Sequence, residues 1–254
     1  MKTRLVNTAL PVALLGILGL LWEASVHFFE IPSYILPGPW EIVKVMWQRL
    51  DLFAAHGVVT LIEIGLGLGV ALVVGLSLAV LIHASRIIER SFLPLIISSQ
   101  TIPVFAIAPL LILWFGYGIG SKVVMTAIIV FFPIVINTVE GLKAADPDTL
   151  ALLHILEASP RQVFFKVRVP QSLPFVFSGI KIGVAVSVIG AVIGEWVGAR
   201  EGLGYLMIHA NAQLQVELVF ASIFWLSILG MGLYGLVVVV ERLLVPWRHG
   251  GSNK

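Results

Sequence analysis

The chain has 254 residues, of which 59% are apolar and only 12% charged, about half the charged share of an ordinary soluble domain. The net charge of +2 is too small to argue for a nucleic-acid partner, and the absence of cysteine excludes a disulfide framework, a thiolate zinc site and a thiol nucleophile. With a mean hydropathy of +1.03, the composition points to an all-α, polytopic membrane helix bundle forming one domain over residues 1–254.

A crossing helix needs about 20 mostly apolar residues. The first candidate is residues 8–29. Lys2 and Arg4 ahead of the apolar run Ala9 to Trp22 imitate a signal peptide, but the run continues past Glu23 to Phe29 without a clean small-x-small cleavage site. Residues 30–57 follow, with Pro32, Pro37 and Pro39 and then an amphipathic stretch whose Trp40 and Trp47 suit headgroup depth.

The next candidates are 58–82, 91–115 and 121–140. In the first of these, Gly65 and Gly69 form a Gly-x3-Gly pair that close helix packing explains. Glu63 sits toward its outer part. In 91–115, Ser98, Ser99, Gln100 and Thr101 precede Pro103, so a broken, hydrated segment is expected. Ser99 and Gln100, with Asn137 in the next span and Glu195 further on, are candidate path-lining residues. Hydrogen bonding between helices explains Ser99, Gln100 and Asn137 equally well, and Glu63 and Glu195 can equally reach the outer headgroups.

The segment 141–172 reads as two short capped helices. Asp146 can cap the first, with Pro147 at its first position. Ser159 can cap the second, with Pro160 following and Gln162 completing a capping box. Pro170 and Pro174 are expected to end this second helix. Its apolar residues mark either a partner site or a helix lying on the lipid surface.

The last crossings are 173–198 and 217–245, making six. Lys181 falls in the fifth and can snorkel to the inner surface. With the N-terminus inside, eleven Lys and Arg lie in cytoplasmic segments against four outside, which places both termini in the cytoplasm. His27, His56, His83, His154, His209 and His249 are too scattered to ligate a metal. Gly230-Met231-Gly232-Leu233-Tyr234-Gly235 imitates a dinucleotide fingerprint, but it lies in an apolar span with no strand before it. No Gly-Lys dipeptide exists, so no P-loop does.

The stretch EASPRQVFFKVRVPQSLP, residues 157–174, resembles the second half of the coupling-loop motif of bacterial ABC importer permeases. Val167-Arg168-Val169-Pro170 occupies that motif's closing Ile-x-Leu-Pro. ILPGPWEIV at 35–43, SQTIPVFAIAPLLILWFGYG at 99–118, FFPIVINTVEGLK at 131–143 and GLGYLMIHANAQLQ at 202–215 agree in order and spacing. The resemblance runs from about residue 32 to 248 and is to permeases of the nitrate, sulfonate, taurine and pyrimidine-precursor type.

It implies a type I importer permease fold in the bacterial inner membrane, a second copy of the chain, and an extracytoplasmic solute-binding protein. It also implies cytoplasmic ABC ATPases docked on a coupling loop that includes Leu153, Leu156, Glu157, Ala158, Ser159, Pro160, Arg161, Phe164 and Pro170. This chain would carry no cofactor, and ATP and Mg would belong to the partner ATPase. The text is most similar to permeases for pyrimidine precursors of thiamine. An ATP-independent secondary transporter or channel, or a membrane scaffold, are the alternatives from other classes, and no convincing inverted repeat favours the former.

The chain departs from the motif at its opening Glu-Ala-Ala, where Ala151-Leu152-Leu153 stands, and at the turn. Glu157 stands where those permeases have the glycine of the turn. A glutamate in the left-handed conformation costs about 1 kcal/mol or more, so either the turn is built differently here or coupling is weakened.

Overall fold

The structure, a computed structural model, describes residues 2–248. His249 lies outside the described residues, as do the side chains of Lys2 and Arg4. Among the described residues every regular element is helical. In chain order these are α1 (Lys2–Phe28), α2 (Pro39–Gln48), α3 (Leu50–Ala84), α4 (Arg86–Ser99), α5 (Val104–Phe115) and α6 (Ile119–Lys143). Then come α7 (Pro147–Ile155), α8 (Pro160–Val163), a π-helical stretch Phe164–Arg168, α9 (Val169–Gly198), α10 (Leu203–Ala212) and α11 (Val216–Leu244). A single 3₁₀ turn, Pro246–Arg248, follows.

Among the described residues, four helices are long and apolar enough to cross a membrane: α3, α6, the continuous helix Pro160–Gly198 and α11. α4 and α5 are bent by 100° at their junction and make a fifth crossing if taken together. The break falls at Gln100–Pro103, where the polar run followed by proline predicts it. The expected first span lies on α1, a 27-residue helix whose described apolar part is Ala13–Phe28.

α6 is the central post. It packs against α3 on one side and α9 on the other. Small residues make the α9 contact possible, since hydrophobic driving force is absent between helices in lipid. Gly179, Gly183, Ser187, Gly190 and Gly194 are buried along one stripe of α9. A Cβ at Gly179 would lie 2.7 Å from the Pro133 carbonyl oxygen, and one at Gly190 would lie 2.9 Å from the Thr126 Cα. On α3 the close approach is at Gly67, where a Cβ would lie 2.6 Å from the Thr126 Cβ. Gly65 and Gly69 have nothing within 4 Å, so the Gly-x3-Gly pair is not the packing face.

The second short helix does not end at Pro170. The chain runs on from α8 into α9 through the π turn, where the Val169 N–H donates to the Phe164 carbonyl, five residues back. Pro170 has no N–H and its ring crowds the carbonyl four residues before it. Widening the turn before it relieves both problems, a common use of a π-bulge.

At the opposite end of the bundle, Ile42 of α2, Phe53 of α3, Leu203, Leu206 and Ala210 of α10, and Leu218, Ala221 and Leu226 of α11 form one apolar cluster. Trp40 and Trp47 stay exposed on α2.

Candidate functional site

The helix pair α7–α8 is held in shape by three local devices. The Asp146 carboxylate accepts from the Thr149 hydroxyl at 2.6 Å and from the backbone N–H groups of Thr149 and Asp148. Those bonds, the Thr149 hydroxyl first, hold the Asp146 carboxyl below its ordinary pKa. The Ser159 hydroxyl accepts the Gln162 N–H while the Gln162 side chain accepts the Ser159 N–H, so the expected capping box is complete.

The third device is the turn. Glu157 has φ +54°. Its N–H donates to the His154 carbonyl, and the Ala158 N–H reaches back to the Leu153 carbonyl. This is the Schellman closure that glycine usually supplies. The turn is therefore built in the left-handed way with a glutamate in the glycine position.

Longer-range contacts tie the pair to the bundle. Arg168, in the π stretch after α8, donates to the Leu142 carbonyl at the end of α6 at 2.9 Å, and α6 is itself tied to α4 there by Lys143 and Glu89 at 2.6 Å. Phe164 stacks edge-on against Phe165 and lies 6.1 Å from the His83 ring. A cavity of about 400 Å³ sits beneath, lined in part by His83, His154, Pro160, Phe164 and Arg168.

Large apolar side chains stand exposed along this segment, among exposed Glu157, Arg161 and Lys166. Leu152, Ile155, Leu156 and Phe165 are all more than half exposed. Of the residues singled out from the sequence, Leu156, Glu157, Ser159, Pro160 and Arg161 are exposed, whereas Leu153, Ala158, Phe164 and Pro170 are half-buried. Ile155 and Phe165 are the more prominent apolar side chains; Phe165 belongs to the apolar face expected after Ser159, whereas nothing in the sequence singles out Ile155. The body of α7 is apolar on nearly every side, so its sequence has no phase from which to choose a face.

The candidate path residues do not converge on one place. Ser99 and Gln100 line a cavity of about 370 Å³ with Val70, Val74, Val104 and Phe131. Asn137 is half-buried where α6 meets α9, and its amide donates to the Pro133 carbonyl at 2.8 Å. Glu195 is fully buried at the far end of α9, bonded to Thr60 of α3 and to the backbone of Gly204 and Tyr205. Beside it, Glu63 pairs with Lys122 of α6 at 3.4 Å. Lys181 does not snorkel free: its ammonium lies 2.8 Å from Glu241 of α11. Opposite charges on two apolar spans were the available signal for that pair.

Residues 71–246 match the family described as binding-protein-dependent transport system inner membrane component. A probable ABC transporter permease protein of Haemophilus influenzae is 44% identical over 234 residues, 92% of this chain and 94% of the relative. The formylaminopyrimidine transport permease protein ThiX of Halalkalibacterium halodurans is 41% identical, over 94% of this chain and 95% of its own length. The riboflavin transport system permease protein RibX of Chloroflexus aurantiacus is 38% identical, over 94% of this chain and 89% of its own length.

Proposed function

Because the chain belongs to the family of binding-protein-dependent transport system inner membrane components, we propose that it couples solute passage to a partner's ATP hydrolysis through α7–α8. At the level of the family, it is an integral inner-membrane permease subunit of an ABC importer for small solutes, not itself an enzyme. Its general partners are an ABC ATPase and a solute-binding protein.

The observation that carries the finer reading is the set of large apolar side chains, Leu152, Ile155 and Leu156 at the end of α7 and Phe165 in the π stretch, left exposed around a capped helix pair that runs on into the crossing helix α9. A water-facing loop gains nothing from such side chains unless a partner covers them. In this reading the pair lies in the cytoplasm, both termini lie on that side, and ATP and Mg are held by the docked ATPase. Half-buried Leu153, Ala158, Phe164 and Pro170 shape the dock from within, while exposed Glu157, Ser159, Pro160 and Arg161 flank its apolar tip.

Two copies of the chain enclose the path, which opens alternately to either side. Ser99 and Gln100 at the α4–α5 break face the solute. None of the described residues lining that cavity carries a charge. An uncharged heterocycle suits such a lining better than a sulfonate or nitrate anion, whose charge would have no partner there. Together with the formylaminopyrimidine relative, this favours a pyrimidine precursor of thiamine as solute.

The experiment is uptake into proteoliposomes holding the permease, its ATPase and its binding protein. Accumulation of a labelled formylaminopyrimidine, with none of taurine or nitrate, supports the solute. The reverse pattern refutes it, and accumulation that needs no ATP refutes the importer reading.

A further inference from the structure

The N-terminus of α10 is bonded wholly by side chains from other helices. The first N–H groups of a helix have no partner within it. Here the Gly202 N–H donates to His56 Nδ1 at 3.0 Å, and the Leu203 N–H to the Thr60 hydroxyl at 2.9 Å. The Gly204 and Tyr205 N–H groups both donate to Glu195 Oε2, at 2.5 and 3.3 Å. The other Glu195 oxygen accepts the Thr60 hydroxyl at 2.6 Å. Thus α3 and α9 together hold the start of α10, and a carboxylate stands at the positive end of its dipole.

The backbone there is shaped to the carboxylate. Gly202 has φ +114°, which a side chain would resist. A Cβ on Gly204 would lie 2.8 Å from Glu195 Oε2 and 3.0 Å from the Val192 Cα. Thr60, Glu195 and Leu203 are all fully buried, so water does not compete for these bonds.

Glu195 also occupies a particular place along its helix. The helix Pro160–Gly198 is unbroken over 39 residues. One end begins at the α7–α8 turn, and the other carries Glu195. At about 1.5 Å per residue, the 35 residues between Pro160 and Glu195 span about 52 Å.

We propose that Glu195 is a positioning residue that clamps α10 to the far end of this rod, so that displacement at the α7–α8 turn and displacement of α10 are one movement. Signals then pass in both directions: ATPase closure moves α10, and engagement of the α10 face by the binding protein moves the α7–α8 turn. The proposal rests on the reading of the chain as an ATP-coupled importer permease. The clamp acts through acceptor oxygens, not through charge. Glu195→Gln keeps one oxygen for Gly204 and Tyr205 and offers an amide N–H to Thr60, so it preserves the clamp. Glu195→Ala removes it.

The test uses the full complex with ATPase and binding protein in proteoliposomes. The chain has no cysteine, so spin labels at Gln213→Cys, the residue that closes α10, and Val197→Cys on α9 report their separation directly. In Glu195→Ala, stimulation of ATP hydrolysis by loaded binding protein falls roughly tenfold or more, as loss of several bonds to a buried carboxylate warrants. Basal hydrolysis persists, and the distance distribution broadens. Glu195→Gln restores both readouts. If Glu195→Ala does not assemble, Thr60→Val, which removes two of the contacts and leaves Glu195 in place, takes its part. Stimulation at the wild-type level in the variant overturns the proposal, as does a Glu195→Gln defect equal to that of Glu195→Ala. If the wild-type complex itself shows no stimulation, the importer reading has failed instead.

Discussion

Replacing Glu157 by glycine is expected to stabilise the α7–α8 turn. Glu157 has φ +54° and closes α7 through two bonds, its own N–H to His154 and the Ala158 N–H to Leu153. A residue with a Cβ loses about 1–2 kcal/mol in that conformation. Glycine removes this strain but adds back about 0.4–1 kcal/mol of freedom to the opened chain. The net gain is about 0.5–1 kcal/mol, which is about a twofold to fivefold change in the population of the open turn. Hydrogen–deuterium exchange of the peptide covering residues 150–163 reads that population directly, because the Ala158 amide exchanges only when its bond to Leu153 breaks. Exchange should slow in Glu157→Gly and stay near wild type in Glu157→Ala, which keeps a Cβ. Faster exchange in the glycine variant, or equal slowing in both, refutes the left-handed turn.

Three further outcomes follow from the packing and charges. Gly67→Ala should lower thermal stability in detergent by about 1–3 kcal/mol through overpacking, because its Cβ would meet Thr126, whereas Gly69→Ala, with open space around it, should have little effect. Lys181→Met removes the ammonium that faces Glu241 at 2.8 Å and should lower thermal stability in detergent by about 2–3 kcal/mol, given its partial exposure. The Asp146 cap, whose carboxyl is held below its ordinary value by the Thr149 hydroxyl and by backbone N–H groups, stabilises α7 above the ordinary carboxylate range of about 3.9. That contribution is lost as pH falls through the lowered value, so exchange in α7 should rise only in that acid window, and Asp146→Asn should abolish the step.

The elements most legible in the sequence were those fixed by local chemistry. Ser159 with Gln162, Asp146 with Pro147, and the polar run before Pro103 each placed a cap or a break where the structure has one. What the sequence hid depended on tertiary neighbours. Which glycines touch another helix cannot be told from spacing alone, and Gly67, not Gly65 or Gly69, proved to be the contact. Helix ends closed by Glu30, Glu157 and Leu214 in the left-handed region carry no glycine to mark them. Pro170 reads as a stop because a π turn that absorbs a proline has no sequence signature of its own. Glu195 was legible as a costly polar group in an apolar span, but its partners lie about nine and 135 residues away along the chain, beyond the reach of any local pattern.

The most direct test of the account is cross-linking from the tip of α7. Single cysteines at Ile155→Cys and Leu156→Cys, in a chain that has none of its own, should cross-link to the ATPase subunit in membranes. A cysteine at Leu236 on the exposed flank of α11 should not. Ile155→Asp with Phe165→Asp should release the ATPase on purification while the permease stays folded. If the α7 cysteines find no ATPase, or the aspartate variant keeps it bound with uptake intact, α7–α8 is not the dock and the coupling account is wrong.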